Sequence, residues 1–154
     1  MAGSVIIDEK LIELGLDAST REEAIKVVAD KLYALDYVNP GYYENVVKRE
    51  QEFPTGLPSV IPVAVCHTEA QYVKQSAMGV ATLAHPIEFR EMGTPERSVQ
   101  AEIIFLIALN DSKQQVPWLK KMAGVFKSEA TLRAIKESKN PAQLAAYLQD
   151  LFLN

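Results

Sequence analysis

The apolar residues of this chain recur at intervals that change from one segment to the next, and those changes mark out its elements. Ile25, Val28, Leu32 and Leu35 fall three or four positions apart, which places them on one face of a helix. Asp17-Ala18-Ser19-Thr20 supplies its start. Ser19 and Thr20 each have a glutamate three residues on, Glu22 and Glu23, at the spacing of a capping box. Asn39-Pro40-Gly41 interrupts, and a second helix from Tyr42 to about Glu50 turns Val46 and Val47 inward. Ahead of both, Val5 to Leu16 mixes apolar and acidic residues and reads as an early strand with loose ends.

After a turn through Phe53-Pro54-Thr55-Gly56-Leu57-Pro58 the pattern becomes that of strands. Ile61 to Cys66 is a short apolar run that delivers His67 to its end. Ser76 to Leu83 is a further strand, and Ile87 with Phe89 a shorter one after Pro86. Glu91 to Ser98, with Gly93 and Pro95, reads as an exposed loop. Ile103-Ile104-Phe105-Leu106-Ile107 is the most apolar run in the chain, and a strand of that kind is buried on both faces. The helical interval then returns. Pro117 opens a helix with Leu119, Met122, Ala123 and Phe126 on its inner side, and Ser128 to Ser138 forms a short one. Asn140-Pro141 starts the last, with Leu144, Tyr147, Leu148 and Leu151 facing the core. These elements predict an α/β sandwich: a mixed sheet with helices on both faces.

Composition narrows the class without naming a function. The 154 residues suit one domain spanning 1–154, and 48% hydrophobic with 23% charged residues is an ordinary globular balance. A net charge of −4 lacks the basic patch that nucleic acid requires. One cysteine forms no internal disulfide. The opening MAGSVIIDEK has no basic segment followed by a long apolar one, and no run reaches the roughly 20 apolar residues of a membrane helix. A cytoplasmic location is the expectation. Two histidines 18 positions apart with one cysteine match no common metal-ligand spacing, so no metal is expected. A Gly-rich phosphate loop and a nucleophilic serine motif are both lacking, which sets aside nucleotide binding and hydrolase chemistry.

The chemistry concentrates between Arg49 and Thr68. A histidine where a strand meets a loop is held by the sheet yet reachable, and its ordinary pKa of about 6.5 leaves a neutral nitrogen as nucleophile. If one ring nitrogen donates to a backbone carbonyl, the other is free to attack. Arg49 offers a planar fork of donors to an oxyanion, while its simplest alternative is a helix-end charge paired with Glu50 or Glu52. Thr55 and Gly56 are turn residues whose donors could face the same group. His85, between Ala84 and Pro86, has no phosphate-binding neighbours and is expected to play no part.

Arg49-Glu50, then Glu52-Phe53-Pro54-Thr55-Gly56, then Ala64-Val65-Cys66-His67, resembles the EIIA type 2 domains of the bacterial phosphoenolpyruvate-dependent sugar phosphotransferase system. This is the mannitol, fructose and galactitol group. The Glu-Phe-Pro-Thr-Gly run and Glu69 resemble the galactitol-like branch most, and the resemblance spans the chain from the helix around Arg21 to that around Tyr147. It implies a phosphocarrier without a cofactor. His67 would take a phosphoryl group at its tele nitrogen from HPr and pass it to a cysteine of an EIIB that works with a membrane component, EIIC. Arg49 would clamp the phosphate, with Thr55 and Gly56 in support, and its side chain is expected to be largely exposed. Phe53, Thr55 and Trp118 would form an apolar rim for the two partners. Mannitol-type relatives carry a second histidine where this chain has Gln114-Gln115, so that role is absent or passes to an amide that donates a hydrogen bond but no charge. Cys66 stands where the family usually has proline. It ends an apolar strand, unlike the loop-borne phosphocysteines of EIIB domains. The same acceptor would equally serve a regulatory domain whose phosphorylation alters binding to another protein.

Overall fold

A computed structural model describes residues 5–153. Helix α1 (Arg21–Ala34) starts where the capping box places it. The Thr20 hydroxyl accepts from the Glu23 backbone N–H at 3.1 Å, and the Glu23 carboxylate reaches back to the Ser19 N–H at 3.4 Å. Ala24, Ile25, Val28, Ala29 and Leu32 are its buried face, while Leu35 lies just beyond its end and is half-buried. Helix α2 (Tyr42–Glu52) follows Gly41, whose φ of 96° suits a residue without Cβ. Its buried residues are Tyr42, Val46 and Glu50, one stripe at four-residue intervals that ends in a carboxylate; Val47 is only half-buried.

The sheet has five strands: β1 (Ile12–Leu16), β2 (Gly56–Leu57), β3 (Val63–His67), β4 (Ala77–Glu91) and β5 (Thr94–Ala108). β1 runs parallel to β4, β4 antiparallel to β5, and β5 parallel to β3, which β2 flanks in antiparallel fashion. Only the last five residues of the expected Val5–Leu16 strand are β1. Glu9–Leu11 forms a 3-10 turn ahead of it, and Ile6 makes an isolated bridge to Ala77. Ile61 falls outside β3, which begins at Val63.

A long hairpin stands where separate strands and a loop were expected. The two segments expected at 76–83 and 87–89 are one 15-residue strand, and most of the expected 91–98 loop belongs to β5. The hairpin's two prolines lie in bulges. The register jumps between Thr82↔Ile103 and Ile87↔Ala101, so Leu83 to Pro86 bulge out against Glu102 alone. A second jump, between Arg90↔Ser98 and Glu91↔Thr94, holds Pro95 out of the ladder. A bulge is where a strand tolerates a residue that lacks an N–H. Gly93, at φ 77°, turns the chain between the strands.

Alternation along β3 and β5 splits the core in two. Ala64, Cys66, Ile104 and Leu106 pack with α1 and α2. Val63, Val65, Ile103, Phe105 and Ile107 pack with α3 (Gln115–Val125), α4 (Glu129–Lys136) and α5 (Pro141–Leu153). The sheet is therefore mixed and covered on both faces, as expected. Helix α3 begins two residues before Pro117, which stands in the first turn where its missing N–H is not needed. Met122 and the following Phe126 are its buried residues and Leu119 is half-buried, but Ala123 is exposed. Ser128 caps α4, and the Asn140 side chain accepts from the Gln143 N–H at the start of α5. In α5, Ala145 and Phe152 are buried with Leu144 and Leu148, whereas Tyr147 and Leu151 are half-buried.

Candidate functional site

His67 is the last residue of β3 and pairs with Ile107 in the middle of the sheet. By strand alternation it shares a face with Val63 and Val65, but the chain leaves the sheet directly after it. Its ring lies back along the strand, with Nδ1 2.8 Å from the Val65 carbonyl oxygen. A carbonyl only accepts, so Nδ1 carries a proton and, in the neutral ring, Nε2 carries the lone pair. Burial pushes the imidazole pKa below its usual value, and the charge of Arg49 pushes it further; the Val65 hydrogen bond opposes both. His67 is buried, 6% exposed, and so less open than the expected strand-end histidine; inclined to neutrality near pH 7, it keeps the Nε2 lone pair that a nucleophile needs.

Arg49 sits in the last turn of α2, where its carbonyl accepts from the Phe53 N–H. Its guanidinium carbon lies 5.2 Å from the centroid of the Phe53 ring, and Phe53 itself is exposed. The side chain is half-buried rather than largely exposed, and its Nε is buried without a hydrogen-bond partner. A buried donor left open costs about 1–3 kcal/mol, so this one is poised for an acceptor. The alternative, a helix-end ion pair with Glu50 or Glu52, is not what engages Glu50. That carboxylate accepts from the Thr55 N–H at 2.8 Å and from the Thr55 hydroxyl at 2.7 Å.

Thr55 is accordingly buried with both donors committed, facing Glu50 and, at 4.0 Å, the Cys66 thiol. Gly56 is a packing position. A Cβ there would stand 2.6 Å from the Arg90 carbonyl oxygen and 3.2 Å from both Phe89 Cβ and Val99 Cβ. The expected rim is only partly assembled. Phe53 is open to solvent beside Arg49, but Thr55 is interior, and the half-buried Trp118 packs at a tilt on Phe152, 5.8 Å between centroids, against the core of the α3–α5 face.

Gln115 is brought to the site, since its Nε2 donates to the carbonyl of Thr68, the residue after His67, at 2.7 Å. Gln114 precedes it in a 3-10 turn (Ser112–Gln114), and its Oε1 is buried without a partner. Ser112 and Gln115 line a shallow depression together with Glu69, Ala70 and Gln71. His85 is exposed in the β4 bulge, far along the sheet from His67. Among the described residues no cluster of three His, Cys, Asp or Glu side chains could hold a metal ion, and no helix is long and apolar enough to cross a membrane.

Sequence reasoning missed Glu50. Its carboxylate is interior, desolvation raises its pKa against the hydrogen bonds of Thr55, and the same burial raises that of the Cys66 thiol beside it. The signal was available: Tyr42, Val46 and Glu50 share the spacing that buries the first two.

Residues 5–151 match the family model described as "Phosphoenolpyruvate-dependent sugar phosphotransferase system, EIIA 2". The transcriptional regulator ManR of Bacillus subtilis is 30% identical over 104 residues, which is 68% of this chain and 15% of that protein. The ascorbate-specific EIIA component of Escherichia coli is 22% identical over 140 residues, covering 90% of this chain and 89% of its own. Among solved structures, the complex of Escherichia coli mannitol enzyme IIA with phosphorylated enzyme IIB aligns with a TM-score of 0.71 at 21% identity, over 97% of this chain and 99% of that one.

Proposed function

Because the chain belongs to the EIIA type 2 family of the phosphoenolpyruvate-dependent sugar phosphotransferase system, we propose that it is a cytoplasmic phosphocarrier whose acceptor atom is Nε2 of His67. The lone pair of Nε2 attacks the phosphorus of phospho-HPr. The donor's N–P bond breaks, and its electron pair returns to the HPr histidine. In the second step a cysteine thiolate of the cognate EIIB attacks the same phosphorus, and the Nε2–P bond breaks to restore the lone pair. The proton stays on Nδ1, donated to the Val65 carbonyl throughout, so no proton on His67 must move. Phosphoryl transfer asks for positioning and charge neutralisation more than for covalent chemistry, so the chain needs no cofactor for it.

The observation that carries this reading is the pairing of His67 Nδ1 with Val65 O beside an arginine whose Nε is unsatisfied. Arg49 meets the phosphoryl oxygens. Gln115 fixes the backbone after His67, and the Gln114 amide, whose oxygen lacks a partner, turns its NH2 to the phosphate once charge arrives. Thr55 and Gly56 support the site through the turn's shape rather than as phosphate donors. The membrane component of such a transporter, EIIC, handles the sugar. Which transporter is served is the finer proposal. The Glu52–Gly56 run favours a galactitol-like system, against relatives named for ascorbate and mannitol.

Incubation with Enzyme I, HPr and phosphoenolpyruvate, followed by intact mass, tests the reading. One phosphoryl group should be gained, His67→Ala should abolish the gain, and His85→Ala should not. Labelling of the His67→Ala protein would sink it. ManR, a regulator, supports a second reading in which the same phosphorylation controls binding to another protein. Phosphorylated protein that never labels any EIIB of its host would favour it.

A further inference from the structure

The hydrogen bonds around Glu50 run on from the turn into the sheet and end at His67. The Thr55 hydroxyl and N–H both donate to the Glu50 carboxylate. The Thr55 carbonyl accepts from the Val65 N–H at 3.4 Å, and the Val65 carbonyl accepts from His67 Nδ1 at 2.8 Å. Two residues, Thr55 and Val65, thus connect the carboxylate next to Arg49 with the ring nitrogen opposite the acceptor atom. The terminal carboxylate is 5% exposed, on a helix face otherwise given to Tyr42 and Val46. Burying a carboxylate is costly unless its hydrogen bonds are made, and two bonds to one threonine could be had more cheaply at the surface.

We propose that Glu50 is a positioning residue, whose carboxylate holds Thr55 and through it the Val65 peptide, so that the Val65 carbonyl fixes the His67 ring in its Nδ1–H tautomer with Nε2 as acceptor. The chain also ties the end of α2, and with it Arg49, to the strand that bears the histidine. The two groups on either side of the incoming phosphorus are then set by one network. Cys66, on the opposite face of β3 and in contact with Thr55, packs that network from beneath. A thiol fits there beside a hydroxyl and a carboxylate, whereas a proline would have no such contact to make.

The activity arm of the test rests on the phosphocarrier reading; the spectroscopic arm does not. Nitrogen-15 spectra of the His67 imidazole near neutral pH report the tautomer directly. The wild-type protein should show a single Nδ1–H form. In Glu50→Gln one acceptor becomes an NH2 that faces a Thr55 donor, so the ring should divide between Nδ1–H and Nε2–H. The rate of acceptance from phospho-HPr should fall by roughly tenfold, about the effect of one hydrogen bond. Thr55→Val, isosteric but without the hydroxyl, should shift the tautomer the same way, and Thr55→Ser should restore it. A folded Glu50→Gln protein that keeps the single Nδ1–H form would overturn the proposal. Should that variant fail to fold, an unchanged tautomer in Thr55→Val would do the same. If the wild-type protein takes no phosphoryl group, the function is wrong, yet the tautomer comparison still decides the role of Glu50.

Discussion

Replacing Arg49 with alanine is the sharpest perturbation the site allows, because the fold has little to lose from it and the proposed role is toward a ligand. On the side of the fold its losses are small. The guanidinium packs 5.2 Å from the Phe53 ring, which is 59% exposed, and an exposed cation–π contact is worth about 0.5–1 kcal/mol. Its Nε has no hydrogen bond to lose. On the side of the ligand, a hydrogen bond to a charged group is worth about 1.5–3 kcal/mol, which translates to a rate roughly 10- to 150-fold lower if it is made only as the phosphoryl group arrives. Arg49→Lys should recover part of that rate, since it keeps the charge and loses the fork.

A second readout comes from His67. Arg49 lowers the imidazole pKa, behind burial as the larger cause, so Arg49→Ala should raise it toward 6.5 without reaching it. The initial rate of transfer from phospho-HPr and an NMR titration of His67 are the two measurements. A wild-type rate in Arg49→Ala, in a protein with unchanged unfolding midpoint, would refute the phosphate clamp. An unmoved His67 pKa would show that the guanidinium does not face the ring.

Two further outcomes concern the fold. Since the folded pKa of His67 lies below its unfolded value, its neutral burial contributes stability that is present above pH 6.5 and lost as pH falls through the folded pKa. Urea midpoints measured across that window should fall more steeply for wild type than for His67→Gln, and parallel slopes would contradict the assignment. Gly56→Ala places a Cβ 2.6 Å from the Arg90 carbonyl oxygen, and overpacking of that kind costs about 1–3 kcal/mol; an unchanged urea midpoint would show that the β4–β5 hairpin yields freely there.

The helices and the two-sided sheet were legible because their signals are local. Thr20 with Glu23 marks the start of α1, Ser128 that of α4, and the unbroken run at 103–107 a strand covered on both faces. The long hairpin was not legible. Pro86 and Pro95 are read as breakers by any local rule, and only the partner strand shows that each sits in a bulge. His67 and Arg49 could be picked out because a motif carried them. What Thr55 does could not, because its donors point to a carboxylate whose burial depends on a helix stripe ending in charge.

Charge is what a site of this composition must settle. A phosphohistidine brings about 1.5 to 2 negative charges at pH 7. Arg49 offers one positive charge beside it, and the position that mannitol-type relatives give to a second histidine holds Gln114 and Gln115 here. An amide donates a hydrogen bond without a charge, and the Gln115 amide is already committed to the Thr68 carbonyl. On the proposed reading, the phosphorylated site therefore keeps a residual negative charge. Such a phosphoryl group is bound less tightly than one neutralised by two cations. For a carrier this is an advantage, because every interaction that stabilises the phosphorylated form must be given up again when the group leaves. On the proposed reading, one arginine is enough to orient the group on His67 for attack by the EIIB cysteine and still let it leave.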